Sequence, residues 1–242
     1  PGFEKDDCLR TFDVVLANPP YSIKQWNREA FQNDKWGRNF LGTPPQGRAD
    51  YAFFQHILKS LNPKTGRCAI LFPHGVLFRR EEAEMRKKLI EADLVDCVLG
   101  LGPNLFYNSP MEACVVICRT KKPRKRKGKV LLIDAVKEVA RLQAQSFLKP
   151  EHQKRILNVF QRFADDPGFA KVVTLEDISK NDYSLSIPLY VQHKQKINRP
   201  AAEESLQNVW DDWEKAGKDF WQEIDAMLEA LDGLVAEEIS HG

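Results

Sequence analysis

Four consecutive residues near the start of the chain, Asn18-Pro19-Pro20-Tyr21, carry the chemistry most easily read from this sequence. Each proline fixes its own φ, lacks an N–H and pushes the residue before it toward an extended conformation, so the turn is stiff. It offers backbone carbonyls with no competing donors, beside the Asn18 amide and the flat Tyr21 ring. Those are the parts needed to grip a planar NH2 group: acceptors for its two hydrogens and a surface for its ring. An exocyclic ring amine is a poor nucleophile because its lone pair is delocalised. Two acceptors, the Asn18 side-chain oxygen and the Pro19 carbonyl, would draw that nitrogen toward tetrahedral geometry and localise the pair. The cation formed on attack loses its proton readily, so catalysis would rest on orientation and preplaced dipoles rather than on a strong base. The same residues also read as a strand-ending turn with a surface tyrosine, and the tetrapeptide alone does not separate the two.

The elements that must hold this turn follow in order. Residues 12–17 are apolar and β-branched and read as a buried strand. Residues 22–49 are polar with Trp26, Phe31, Trp36 and Phe40 interspersed; they read equally as a binding loop and as a surface loop anchored by its aromatics. Asp50 is expected to cap a helix over 51–61, with Phe53, Phe54, Ile57, Leu58 and Leu61 on one side. A strand over 68–72 ends at Pro73-His74-Gly75, a charged helix spans 81–91, and strands cover 94–99, 112–119 and 130–133. Residues 140–163 read as helical, and 172–191 as a strand, a short helix and a final strand.

Alternating strands and helices predict an α/β sandwich with a mostly parallel sheet. The last connections are too short for helical crossovers, so the sheet should finish in an antiparallel hairpin. Ligand sites in such folds lie beyond the carboxyl ends of parallel strands, where Asn18, His74 and the loop at 100–110 all fall. His74 reads as a loop-packing residue before a catalytic one. Gly100-Leu101-Gly102 follows the wrong strand for a dinucleotide fingerprint.

The chain has 242 residues, 43% hydrophobic and 29% charged, room for one large domain or a domain with an appendage. No apolar run reaches the ~18 residues of a membrane span, and no signal peptide opens the chain. The five cysteines are scattered and unpaired in pattern. Cys114 and Cys118, on one strand, stand ~13 Å apart and cannot bridge. They read as reduced core residues of a cytoplasmic protein, and no metal site is expected. Net charge is +2, but residues 201–242 hold 12 acidic and 2 basic side chains, leaving 34 basic and 22 acidic in 1–200. A polyanion partner is therefore expected for the first part only.

Several longer stretches carry a resemblance. DVVLANPPY, RADYAFFQHIL, GRCAILFPHGVLF and NLFYNSPMEACVVICRTKK stand in the order and spacing found in amino-group methyltransferases. Over about residues 10–190 the chain resembles the modification subunit of type I restriction–modification systems, N6-adenine DNA methyltransferases that use S-adenosyl-L-methionine. The resemblance implies the C-terminal part of an S-adenosylmethionine-dependent methyltransferase fold over 1–192, with a linker and acidic helical tail over 193–242. It implies that Asn18 and Pro19, in a turn stiffened by Pro20, bind the adenine amino group, and that Tyr21 and Phe106 stack on the two faces of a flipped base. Phe53 would lie near the cofactor's adenine, although from the residues alone it is a core position of its helix. The family's glycine-rich cofactor motif belongs upstream of the proline turn. Its absence leads to the expectation of a fragment, inactive alone, whose first sheet strand lies at a bare edge. Implied partners are DNA, a specificity subunit and a second modification subunit, with a place for a restriction subunit and none for a membrane.

Two charged or apolar features remain open. Lys121, Lys122, Arg124, Lys125, Arg126, Lys127 and Lys129 form a basic run that is either a solvated loop or a set of phosphate contacts near the flipped base. In the tail, Trp210, Trp213, Gly217, Phe220, Ile224, Met227, Leu231 and Leu234 recur at alternating spacings of three and four, a seam for a partner helix or for the chain's own body. Two other activities fit parts of the pattern: a protein glutamine-amide N-methyltransferase, and a non-catalytic assembly module for a specificity subunit.

Overall fold

A computed structural model describes residues 4–5, 8–106, 111–142 and 145–192, together with 210, 211, 213–215, 217, 218, 221, 222, 224 and 227. The chain divides into two compact units, Pro1–Lys194 and Gln195–Gly242. The first is built on a six-stranded sheet. In chain order its strands are β1 (Val14–Ala17), β2 (Arg67–Pro73), β3 (Val95–Leu101), β4 (Ala113–Arg119), β5 (Lys129–Ala135) and β6 (Ala170–Thr174). In space they run β6-β5-β3-β4-β2-β1. β1 pairs in parallel with β2, and β3 with β5. β4 is antiparallel to both β2 and β3, and β6 is antiparallel to β5. Four of the six strands therefore point the same way, and β3 and β4 form an antiparallel hairpin, though not at the end of the sheet, where one was expected. That hairpin lies inside the sheet, because β4 inserts between β2 and β3.

Alternation along the strands sorts the two faces. On one, Cys68, Ile70 and Phe72 of β2, Cys114, Val116 and Cys118 of β4 and Val130 and Leu132 of β5 join a single buried cluster. Helix α2 (Asp50–Lys59) closes it with Tyr51, Phe54, Ile57 and Leu58, a helical apolar stripe. The Phe54 ring stands 5.1 Å from that of Phe72. Helix α3 (Ala83–Glu91) adds Met85, Leu89 and Ile90. The opposite face is covered near β3, β5 and β6, where Cys97, Leu131 and Ile133 meet Val159 of helix α4 (Pro150–Arg162). β1 is the edge strand, with Val14 48% and Leu16 80% exposed. A short helix, α1 (Arg28–Gln32), interrupts the long loop after the proline turn, and α5 (Leu175–Lys180) follows β6.

The structure departs from the sequence expectations at identifiable residues. The helix expected over 140–163 begins only at Pro150, whose missing N–H suits a first helical position and no interior one. Ahead of it lies a two-stranded ribbon, Ala140–Leu142 with Gln145–Phe147. The expected final strand is a 3-10 turn, Ile187–Leu189, where Pro188 removes a ladder donor. Asp50 does not cap α2. Ala49 occupies that position, and Asp50 is the first helical residue with its carboxylate turned elsewhere. Among the described residues no helix is long and apolar enough to cross a membrane, and no cluster of side chains could hold a metal ion.

In the tail, the described residues from 210 to 227 are helical. Trp210, Trp213 and Met227 of the apolar seam are exposed, and the two indoles lie 5.3 Å apart. Phe220, Leu231 and Leu234 fall outside the described residues.

The connection from β4 to β5 carries the basic run and is bolted down by two of its own members. Arg126 donates to Asp96 Oδ2 at 2.8 Å and to the Phe160 carbonyl at 3.0 Å, and lies over the Phe160 and Phe163 rings. Asp96 is fully buried and also takes a bond from Arg119 at 2.9 Å. Lys122 is 7% exposed and bonds Asp93 at 2.5 Å and the Lys129 carbonyl at 2.8 Å. Lys121, Arg124, Lys125, Lys127 and Lys129 point outward. Arg126→Ala is expected to lower unfolding free energy by about 2 kcal/mol, since it strips one charge-assisted bond from a buried carboxylate and one from the Phe160 carbonyl. Lys125→Ala should change it by less than about 0.5 kcal/mol. Urea denaturation of the two variants checks the pair; equal effects would contradict the assignment of Arg126 to the framework.

Candidate active site

The strand directions bring the carboxyl ends of β1, β2, β3 and β5 to one end of the sheet. Asn18 follows β1 there, His74 follows β2, and Phe106 lies in the loop that joins β3 to β4. Phe106 is half-buried, and residues 107–110 of that loop lie outside the described residues. His74 bonds the Ala113 carbonyl through Nε2 at 2.8 Å, which ties the end of β2 to the start of β4. With Phe78, Glu112, Asp134, Lys137 and Ile187 it lines a cavity of about 310 Å³. The loop-packing reading of His74 therefore has a partner. Gly102 is a packing glycine: a Cβ there would lie 2.4 Å from the Val136 carbonyl oxygen. Gly100 and Leu101 thus end β3, and Gly102 packs against the segment that follows β5.

At the turn itself, Asn18 and Pro20 are exposed, Pro19 is buried and Tyr21 is half-buried. The corner is therefore anchored at one proline and presents its amide outward. Burial, with the nearby Cys114 and Asp50 adding to it, pushes the Tyr21 phenol up to about 12. The ring stays neutral across any ordinary pH, as a stacking surface requires. The next residue, Ser22, has φ 49°, the left-handed region that costs an L-residue roughly 1–2 kcal/mol.

What compensates that strain is Asp50. The Ser22 N–H donates to Asp50 Oδ1 at 2.7 Å, and the Ser22 hydroxyl lies 3.4 Å from Oδ2. Arg79 donates to the same Oδ2 at 2.7 Å and stands 3.6 Å from Glu82. Arg86 in turn bonds the Arg79 and Tyr183 carbonyls, both at 2.9 Å. Asp50, Glu82 and Arg86 are all 2% exposed or less. This buried ionic layer directly behind the turn was not read from the sequence. The residues share no local pattern, since Ser22 and Asp50 stand 28 positions apart and Asp50 and Arg79 stand 29 apart. The sole local signal was an aspartate offered as a helix cap.

The loop at 22–49 is pinned rather than open. Trp26 Nε1 donates to the Gln46 carbonyl at 2.8 Å, and Arg28 donates to the Pro44 carbonyl at 2.9 Å. Gln55 of α2 takes the Leu41 N–H at 2.7 Å and donates to the Gly42 carbonyl at 2.9 Å. Phe31 and Leu41 are buried, and Asp34 pairs with Arg38. Phe53, half-buried on α2, lies one turn beyond Asp50 and so on the same side of that helix. The basic run is not brought to the turn. Arg119 at the end of β4 pairs with Arg67 at the start of β2, so the connection that follows lies at the opposite end of the sheet from Asn18.

The Glu82 carboxyl is an outlier within the layer. Burial raises it to about 7, against the pull of Arg79 and with the Asp50 charge adding to the rise, and neither of its oxygens has a hydrogen-bond partner. A carboxyl held above its usual 4.5 contributes to stability fully below that value and loses the contribution as pH rises through about 7. A Glu82→Gln variant should therefore gain on the parent between pH 5 and pH 8, by about 4 °C in Tm. Thermal melts at both pH values check this, and a Tm difference that does not grow with pH would contradict it.

Known proteins resemble this chain in sequence and fold. A profile of the N-6 DNA Methylase family matches residues 2–199. The chain is 32% identical over 232 residues to the type I restriction enzyme MjaVII methylase subunit of Methanocaldococcus jannaschii, covering 90% of this chain and 39% of that one. It is 33% identical over 193 residues to the HindI methylase subunit of Haemophilus influenzae, covering 75% of this chain and 42% of that one. The type I restriction-modification methyltransferase subunit of Streptococcus thermophilus superposes with a TM-score of 0.69 at 37% identity, over 75% of this chain and 38% of that chain. The chain thus spans about two fifths of the length of the curated relatives it matches. On the match over residues 2–199 and the shared fold, the chain belongs to the N-6 DNA methylase family.

Proposed function

We propose that this chain is the amine-binding portion of a type I modification subunit, which transfers a methyl group from S-adenosyl-L-methionine to N6 of an adenine in DNA. The observation that carries the reading is the exposed Asn18 amide on a proline-locked corner, at the carboxyl end of the sheet of an N-6 DNA methylase relative. Asn18 Oδ1 and the Pro19 carbonyl accept the two amino hydrogens, and the neutral Tyr21 ring stacks on the extruded base, with Phe106 on its other face. Holding both N–H bonds turns the nitrogen lone pair out of the ring plane and toward the incoming methyl group.

The donor supplies an electrophilic methyl when bound. To that donor we assign the Phe53 ring, while Gly100-Leu101-Gly102 is committed to packing and offers no cradle. The part of the reaction that rests on this chain is therefore the acceptor side. The five outward residues Lys121, Arg124, Lys125, Lys127 and Lys129 form a separate basic surface, which we assign to phosphates away from the flipped base. The exposed tryptophans of the tail suit an apolar helix of a specificity subunit, with a second modification subunit completing the assembly.

Asn18→Ala in the full-length methylase is expected to lower kcat for DNA methylation by about 100- to 1000-fold, the usual cost of one catalytic hydrogen-bond partner. KM for DNA and for the methyl donor should stay within about threefold, since the interaction is strongest in the transition state. Steady-state transfer of labelled methyl groups to an unmethylated plasmid measures both. Retention of the parent kcat would overturn the reading.

A further inference from the structure

We propose that Asp50 and Arg79 are positioning residues for the amine-binding turn: Asp50 holds the Ser22 N–H, and Arg79 holds Asp50. This deepens the proposed function and rests on that reading of Asn18–Tyr21.

The peptide plane between Tyr21 and Ser22 carries the Ser22 N–H. The 2.7 Å bond to Asp50 Oδ1 therefore fixes the orientation of Tyr21's own carbonyl and the last backbone torsion of the turn. The two prolines fix the torsions ahead of it. The bond also retains Ser22 in its left-handed conformation, at φ 49°. Without it, the chain after Tyr21 relaxes toward the extended region, and the ring is carried with it. A buried carboxylate performs this task only if its charge is matched, and Arg79 matches it at 2.7 Å.

Arg79 is itself seated by the backbone. A Cβ on Gly75 would lie 2.2 Å from its Nε and 2.6 Å from its Cζ, so the guanidinium packs flat against that residue. Glu82 and Arg86 close the layer behind it, with Arg86 gripping the Arg79 carbonyl. Gly75 follows β2, Arg79 precedes α3 and Asp50 opens α2, so residues beside three separate elements converge on one bond to the turn. A plain structural ion pair would stabilise the fold without touching the turn. Here the same carboxylate has one oxygen on Arg79 and the other on the turn's exit peptide.

The test compares Asp50→Ala, Asp50→Asn and Gly75→Ala with Asn18→Ala, all in the full-length methylase. Asp50→Ala should lower kcat by about 30- to 100-fold, the scale of a misplacement near 1 Å, with KM for DNA within about threefold. Asp50→Asn keeps an oxygen for the Ser22 N–H but turns its NH2 toward Arg79, so it should recover only part of the kcat lost in Asp50→Ala. Gly75→Ala displaces Arg79 without altering either bonded partner and should fall between the two. In the chain itself, hydrogen exchange at the Ser22 amide should accelerate in Asp50→Ala and stay slow in Asp50→Asn. Should Asp50→Ala fail to fold, the Asn and Gly75 variants still decide the matter. Parent-like kcat in Asp50→Ala or in Gly75→Ala, with Asn18→Ala inactive, would overturn the positioning role alone. An active Asn18→Ala would instead remove the reading of the turn on which it rests.

Discussion

A corner made of two prolines has no amide hydrogen with which to fold back on itself. Every other feature of this chain near Asn18 follows from that lack. With the N–H groups of residues 19 and 20 gone, the corner's own dipoles are acceptors, and they cannot be satisfied by a continuing helix or a hairpin. β1 therefore stops at Ala17, and the chain leaves the sheet through the proline corner to Ser22. There the first strained torsion occurs, and there the first strong donor meets a carboxylate from a distant helix. The corner is stiff because of its own covalent chemistry and correctly aimed because of Asp50.

Three carboxylate clusters of the unit hold loops in place. Asp50 with Arg79 secures the exit of the turn, Asp96 with Arg119 and Arg126 secures the path from β4 to β5, and Asp93 with Lys122 secures its beginning and end. Buried pairs of this kind add little net stability over apolar substitutes, because desolvation offsets most of the attraction. They are costly to leave half-made, however, and so they select one loop geometry over its alternatives. Both sheet faces are meanwhile apolar, and the aromatic contacts among Tyr51, Phe54 and Phe72 lie directly under the site. Rigid packing below and charge-defined loops above divide the labour between stability and placement.

Much of this was legible residue by residue. Runs such as Arg67–Pro73, Ala113–Arg119 and Lys129–Ala135 are too apolar and β-branched to be anything but interior strands, and prolines and glycines mark where they end. The stiffness of the turn was readable because proline acts through local sterics alone. The insertion of β4 between β2 and β3 was not, since sheet order is decided by contacts that no local pattern encodes. The same holds for charge: Lys122 and Arg126 look like any other member of the basic run until Asp93 and Asp96, about thirty positions earlier, turn them inward. Asp50 is the sharpest case. Its place just before an apolar helical stripe marks it as a cap, whereas the tertiary structure uses it on the turn. Pro150 was a local signal within reach, and it limits α4 where the periodicity alone suggested a longer helix.

The central claim is that the Asn18 oxygen meets the amino group of the target base. It is tested most directly by a double-mutant cycle between Asn18→Ala and removal of that amino group, with purine in place of the target adenine in an otherwise identical duplex. Binding is measured for the assembled full-length methylase with each of the two duplexes. The account predicts that the parent prefers adenine over purine by about threefold, and that Asn18→Ala abolishes most of that preference, a coupling of roughly 0.5 kcal/mol. An undiminished preference in Asn18→Ala would show that the amine is held elsewhere and would contradict the account.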